Sequence, residues 1–209
     1  EILSGKTQDL NTQFLATELS ALGIRLKEVR VIPDVEEDII KTVNSLRKKH
    51  TYVFTTGGIG PTHDDITSKT IAKAFNDEFL LNEDAKKIIE QHLNEKHMEI
   101  REDHIRMAYI PKSATLLLNQ TTGAPGFKID NVFVMAGVPY IMQSIFVEAK
   151  KFLKTGKPII SKSIDAYVAE GSIAADFNNL QNKYPQIEMG SYPSKIENKW
   201  KTSLVLRGD

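Results

Sequence analysis

The chain has 209 residues, 41% hydrophobic and 26% charged, which is enough apolar material for a folded core and excludes a disordered chain. Lys+Arg and Asp+Glu stand at 27 each, a formal net charge of zero, which speaks against tight sequence-independent nucleic-acid binding and against attraction to an anionic membrane. The absence of cysteine removes disulfides, thiol nucleophiles and cysteine zinc sites and favours the cytoplasm, and no apolar run reaches the roughly 18 residues that a membrane span needs.

The chain opens on Glu1-Ile2-Leu3-Ser4-Gly5-Lys6-Thr7, which reads as the interior of a domain. From Gln8 to Leu22, Leu10, Phe14, Leu15, Leu19 and Leu22 recur at helical spacing, and Gly23 supplies the stop. Ile24 to Ile32 alternates apolar and charged residues and predicts a strand. Pro33-Asp34 opens a helix to about His50, with Asp34 as N-cap and Glu37 where a capping box places its acid. Arg47-Lys48-Lys49 suits its last turn, where cations meet the negative end of the helix dipole.

Tyr52 to Phe54 is a short apolar run before a glycine turn, as in a buried strand. Helices follow over Ile66 to Phe75 and Glu83 to His97, then strands over Tyr109 to Asn119 and Val132 to Met135, then a helix from Pro139 to Leu153 started by its proline. The alternation of strands and helices predicts an α/β domain with a mostly parallel sheet covered on both faces. The punctuation changes at Thr155-Gly156-Lys157-Pro158, so a first domain is expected over 1–157 and a second over 158–209. The second reads as a small α+β module: a strand (Lys162 to Ala169), a helix (Ser172 to Lys183) and two strands (Ile187 to Tyr192, Lys199 to Leu206), with Trp200 in core or strand packing.

The segment Thr55-Thr56-Gly57-Gly58-Ile59-Gly60-Pro61-Thr62 follows a buried strand and precedes a helix. In an open sheet ligands bind beyond the carboxyl ends of the strands, and glycines let backbone amides approach an anion closely. The segment is therefore a candidate phosphate cradle; the alternative is a tight turn in which glycine supplies only positive φ. His63-Asp64-Asp65-Ile66-Thr67 follows at once. Two carboxylates beside a phosphate call for a divalent cation such as Mg²⁺, which is commonly held by one or two carboxylates plus substrate phosphates, or else one of them caps the next helix. His63 is expected at the surface. Gly123 to Phe127 and Ala136-Gly137-Val138-Pro139 are further tight turns, the second after a buried strand and so able to line the same cleft. Ser4-Gly5-Lys6-Thr7 is set aside as a Walker look-alike without its earlier glycine.

Thr55 to Thr67 (T-T-G-G-I-G-P-T-H-D-D-I-T) resembles the hallmark of the MoaB/Mog molybdopterin-binding domain family. The opening E-I-L-S-G, Val31 to Asp34, Thr122 to Phe127 and Ala136 to Pro139 match further segments of that family in order, over roughly residues 1 to 155. The sequence is most similar to the CinA-like branch, including a KH-like module in which Gly190 to Pro193 (G-S-Y-P) falls. The resemblance implies a three-layer MoaB/Mog fold, a homo-oligomer, and a nucleotide or pterin phosphate as small-molecule partner. For the CinA-like branch it implies hydrolysis of ADP-ribose-type pyrophosphates with Mg²⁺ or another divalent metal; the alternatives are molybdopterin binding or adenylylation, and a nucleotide-binding module without turnover. Carried over, Asp65 and Asp34 would be catalytic and, with Glu1, would hold the metal. Thr56, Gly57, Gly58, Ile59, Gly60, Pro61, Thr62, Asp64, Thr67, Gly137, Val138 and Pro139 would line the ligand. Gly171 to Asp176 and Gly190 to Ser194 contain no G-x-x-G loop to clamp a nucleic-acid backbone, so no nucleic-acid partner is expected.

Overall fold

A computed structural model describes residues 1–158, 160–197 and 199–208. In chain order it contains α1 (Leu10–Ala21), α2 (Glu36–Lys49), β1 (Val53–Thr56), α3 (Thr67–Ala74), β2 (Phe79–Leu81), α4 (Glu83–Glu95), α5 (Glu102–Arg106), β3 (Tyr109–Pro111) and β4 (Thr115–Leu117). It continues with β5 (Gly126–Ile129), β6 (Val132–Met135), α6 (Pro139–Ala149), β7 (Ile160–Ala166), α7 (Ala174–Lys183), β8 (Glu188–Ile196) and β9 (Lys199–Gly208). Two compact units emerge, one of residues 1–14 and 28–154, the other of residues 15–27 and 155 onward. No helix among the described residues is long and apolar enough to cross a membrane.

The first unit is built on a four-stranded sheet in the order β1-β6-β5-β4. Its two faces are set by the period of two along each strand. Val53, Val132, Val134, Phe127 and Ile129 point to one face, where Ile39 and Val43 of α2 and Ile71 of α3 complete the cluster. Phe54 and Phe133 point to the other and stack at 5.0 Å; Phe146 of α6 closes on Phe54 at 5.9 Å, and Phe14 of α1 meets Phe146 edge-on at 5.7 Å. Helix, sheet and helix therefore form three layers. Ile71, Phe127, Phe133 and Phe146 are almost wholly buried, and each such side chain contributes roughly 1.5–3 kcal/mol of transfer free energy.

The α/β class stands, and the sheet is mixed. β1 pairs parallel with β6, while β6–β5 and β5–β4 are antiparallel. The alternation rule fails at this end because no helix separates these strands: β5 turns into β6 through Asp130 and Asn131, with Asp130 at φ +50. The run from Tyr109 to Asn119 is two strands, not one; β3 pairs with β2 in a separate two-stranded sheet, and β4 pairs with β5. Its break falls just after Pro111, which cannot donate to a ladder.

Ile24 to Ile32 forms no strand. Its alternation is real, but a strand also needs a ladder partner, and among the described residues β1 pairs only with β6. Leu26, Val29 and Val31 are consequently 38%, 50% and 43% exposed. Glu28 fixes this segment to the end of α2, accepting from Lys49 Nζ at 2.7 Å and lying 3.2 Å from His50 Nε2. The expected cap of α2 is also corrected. Val35 occupies the N-cap position and no side chain caps it, so Asp34 and Glu37 form no capping box. The basic last turn of α2 is present, with Arg47, Lys48 and Lys49.

The second unit holds the three-stranded antiparallel sheet β7-β9-β8. Gln181 of α7 fastens the helix to β8, its Oε1 accepting from Met189 N and its Nε2 donating to Ile187 O. Trp200 is no core residue: it is 49% exposed, and Lys195, its cross-strand neighbour, lies 4.4 Å over its ring. Arg25 pairs with Glu188 in this unit.

Candidate functional site

β1 ends at Thr56 and delivers the chain into Gly57 at φ +119 and Gly58 at φ +69, conformations that L side chains rarely adopt. Gly57 N donates to Met135 O at 2.9 Å, carrying the parallel ladder one step past the strand. Thr67 N donates to Gly58 O at 2.8 Å, so the loop is tied to the first residue of α3. A Cβ at Gly58 would overlap the Thr67 side chain. The glycines therefore supply positive φ and also admit close packing against α3, as the tight-turn reading requires.

The second turn comes to the same place. An ideal Cβ on Gly137 would lie 3.2 Å from Gly57 Cα, so two backbones meet there with no side chain between them. Val138 is the N-cap of α6 and Pro139 its first residue. Asn11, near the start of α1, donates from Nδ2 to Gly137 O at 2.7 Å. Thr56, Gly137 and Val138 are exposed; Gly57, Gly58, Ile59, Gly60 and Pro139 are half-buried. Two predicted ligand segments, distant in sequence, thus come together at the carboxyl ends of β1 and β6.

The acids occupy the far side of the loop. Asp65 Oδ2 accepts from Thr62 N at 3.0 Å and from the Thr62 hydroxyl, and it would lie 2.7 Å from a Cβ on Gly60. Asp65 therefore closes the loop on itself. Neither Asp64 nor Asp65 caps α3, whose N-cap is Ile66. Asp64 is exposed, and the neighbouring Thr62 hydroxyl and its own backbone amide hold its carboxyl below the usual range. Pro61, Thr62 and His63 are exposed, and Thr67 is buried.

Arg106, from α5, reaches back to Thr62 O at 3.5 Å and brings a cation to this acidic loop. Asp34 is exposed beyond the start of α2. Glu1 sits in an exposed turn, accepting from Lys6 Nζ at 3.4 Å and Thr7 Oγ1 at 3.3 Å. No three His, Asp or Glu side chains gather as a metal-holding group among the described residues, so Glu1, Asp34 and Asp65 are not brought together as one.

Asn11 and Arg106 escaped the sequence reading. Arg106 had no signal, since only the fold brings α5 to the loop. Asn11 had one: it stands at helical spacing with Leu15 and Leu19, a polar residue in line with a buried stripe.

The profile of the family described as "probable molybdopterin binding domain" matches residues 1–155. The chain belongs to the MoaB/Mog molybdopterin-binding domain family. A second profile, "FAD synthase, middle domain", matches residues 158–209. The chain is 34% identical over 208 residues to a "CinA-like protein" of Flavobacterium psychrophilum, covering 93% of this chain and 49% of that one. It thus spans about half the length of that relative. It is 31% identical over 206 residues to a protein of Pyrobaculum calidifontis, covering 94% of this chain and 79% of that one. The crystal structure of CinA from Thermoplasma acidophilum, titled as a protein of unknown function, superposes with a TM-score of 0.66 at 27% identity, covering 73% of this chain and 92% of that one. The family resemblance, and the α/β fold that it implied, are thereby established.

Proposed function

We propose that this chain is a CinA-like nucleotide pyrophosphatase, hydrolysing ADP-ribose or a related dinucleotide where the Gly57 and Gly137 turns meet. The observation that carries this reading is the meeting of two side-chain-free backbones beside a loop that bears two carboxylates and is reached by a guanidinium. Backbone amides and glycines at a strand end suit a pyrophosphate, whose oxygens need donors at close range. Arg106 adds positive charge beside the loop, where it would offset the charge of a phosphate.

Asp65 Oδ2 is committed to Thr62, and its Oδ1 is left for a water or a metal ion. Mg²⁺ usually keeps one or two protein carboxylates and takes its other ligands from substrate phosphates and water, so Asp65 would be the residue of this loop to hold such an ion. When bound, that ion polarises a phosphoryl oxygen and lowers the pKa of its water. In the reaction, water adds across the P–O–P bridge: the hydroxyl joins one phosphorus, the bridging oxygen leaves with the other, and a proton passes to solvent. The loop orients the phosphates for this in-line attack. Glu1 and Asp34 stay outside the assignment, since no three His, Asp or Glu side chains gather among the described residues.

The test is release of AMP from ADP-ribose by the purified chain with Mg²⁺, against an EDTA control. A second reading, molybdopterin binding or adenylylation, is favoured by the description of the family profile. Pterin that co-purifies with the chain, without AMP release, would select it. Nucleotide binding with neither would leave the module without turnover.

A further inference from the structure

Leu93, in the last turn of α4, and Ala108, just before β3, are 6% and 0% exposed and belong to one hydrophobic cluster with Ala85 and Ile89. The chain between them, residues 94–107, includes α5, and not one of its residues is buried. A surface segment with both ends pinned in one cluster and nothing buried in between has little apolar contact to resist its opening.

Its hydrogen bonds point the same way. Met98 N returns to Leu93 O at 2.9 Å, His104 N and Ile105 N donate to Arg101 O, Arg101 pairs with Asp103, and Ala108 N donates to Ile105 O. Among the described residues, a single hydrogen bond joins residues 99–107 to the body beyond Ala108: Arg106 Nη1 to Thr62 O, at 3.5 Å. That bond is at the limit of useful length and ends on a neutral carbonyl. Arginine offers five donors in a planar fork that matches phosphate oxygens. Arg106 is exposed and forms no ion pair among the described residues, although Asp64 and Asp65 stand on the loop that it reaches.

We propose that residues 94–107 are a lid on the glycine loop, and that Arg106 closes it by leaving Thr62 O for the oxygens of a bound phosphate. This rests on the reading of the loop as a phosphate site and adds how that site is closed. The exchange is favourable because a charge-assisted, two-pronged contact replaces one long bond to a carbonyl. Met98 and Ile100, 53% and 40% exposed, give the lid apolar surface to cover on closing. Closure shields the phosphates from bulk water and so strengthens every charged contact made to them.

The experiment is hydrogen–deuterium exchange of the full chain, read by mass spectrometry, with and without imidodiphosphate and Mg²⁺. Imidodiphosphate is a pyrophosphate analogue whose bridging N–H resists hydrolysis, and calorimetry sets its saturating concentration. In wild type, the ligand should slow exchange at least tenfold both in the glycine loop and in peptides within 94–107. In Arg106→Gln at its own saturating concentration, the glycine loop should stay protected while 94–107 exchanges as in the free protein. A folded variant that no longer binds also supports the grip of Arg106 on the phosphate. Protection of the glycine loop alone in wild type would overturn the lid and leave the phosphate reading standing. Equal protection of 94–107 in wild type and variant would overturn the role of Arg106. Failure of wild type to bind imidodiphosphate would sink both the lid and the phosphate reading. Should Arg106→Gln not fold, Arg106→Lys, which keeps the charge and loses the fork, must protect 94–107 less than wild type, and full protection counts against the proposal.

Discussion

Asp64 and Asp65 are adjacent in sequence and differently employed. Asp65 Oδ2 takes two donors from Thr62, and in Asp65→Asn the amide oxygen can still accept both. The stability change should therefore stay within about 0.5 kcal/mol, while loss of the charge costs turnover of ADP-ribose on the order of a hundredfold, or about 2.7 kcal/mol of transition-state stabilisation. Asp64→Asn should cost less turnover. Steady-state rates of AMP release and a thermal melt check both variants, and a normal rate for Asp65→Asn with an inactive Asp64→Asn would reverse the roles. This contrast also marks how far the sequence carries. The glycine loop, the Gly137 turn and the acid pair were legible, because each is a local pattern tied to one strand end. Asn11 and Arg106 were not, because their relevance comes from contacts 126 and 44 residues away in the chain.

Elements were legible where their signal was internal and illegible where it depended on a partner. α2, with Ile39 and Val43 inward and cations in its last turn, falls within about two residues of its expected bounds at each end, which is the ordinary scatter of helix ends. The segment from Ile24 to Ile32 carries a good strand pattern and no ladder, and Glu28 joins it to the end of α2 through Lys49 and His50. Lys49, Arg30 and His50 lower the Glu28 carboxyl from 4.5 to about 2. A carboxyl that titrates lower in the folded state stabilises fully above pH 4.5 and loses that contribution as pH falls towards about 2. Urea midpoints across that window should decline less steeply for Glu28→Gln than for wild type; parallel curves would refute the role. The loop between β1 and α3 makes the opposite kind of demand, on a single backbone conformation. Gly58→Ala places a side chain at φ +69 against Thr67, so it should cost roughly 1–3 kcal/mol and weaken the loop's grip on α3. A chemical melt measures the loss, and a change below about 0.5 kcal/mol, the usual range for a neutral surface substitution, would show that the loop relaxes freely.

At the scale of the whole molecule, the boundary drawn by the family profiles and the boundary drawn by packing differ. The profiles meet between residues 155 and 158, whereas residues 15–27 pack with the unit that continues from residue 155. The reason lies at Gly23. Its φ of +72 ends α1 with Gly23 N donating to Ser20 O and Ile24 N to Leu19 O, a helix stop that favours glycine. The same glycine lies against the backbone of Gly156 and Lys157, and Gly156 N donates to Leu22 O at 2.9 Å. A methyl group at position 23 would overlap the Lys157 carbonyl and sit at a φ that alanine resists. Gly23→Ala should therefore lose roughly 1–3 kcal/mol of stability, and the loss should appear in the second unit. The chain contains one tryptophan, Trp200, which lies in β9 of that unit and gives a site-specific reporter. Guanidinium unfolding followed by Trp200 fluorescence should show the midpoint fall in the variant. If the Trp200 transition stays where it is while the far-ultraviolet dichroism alone shifts, residues 15–27 do not stabilise the second unit, and the profile boundary is the thermodynamic one.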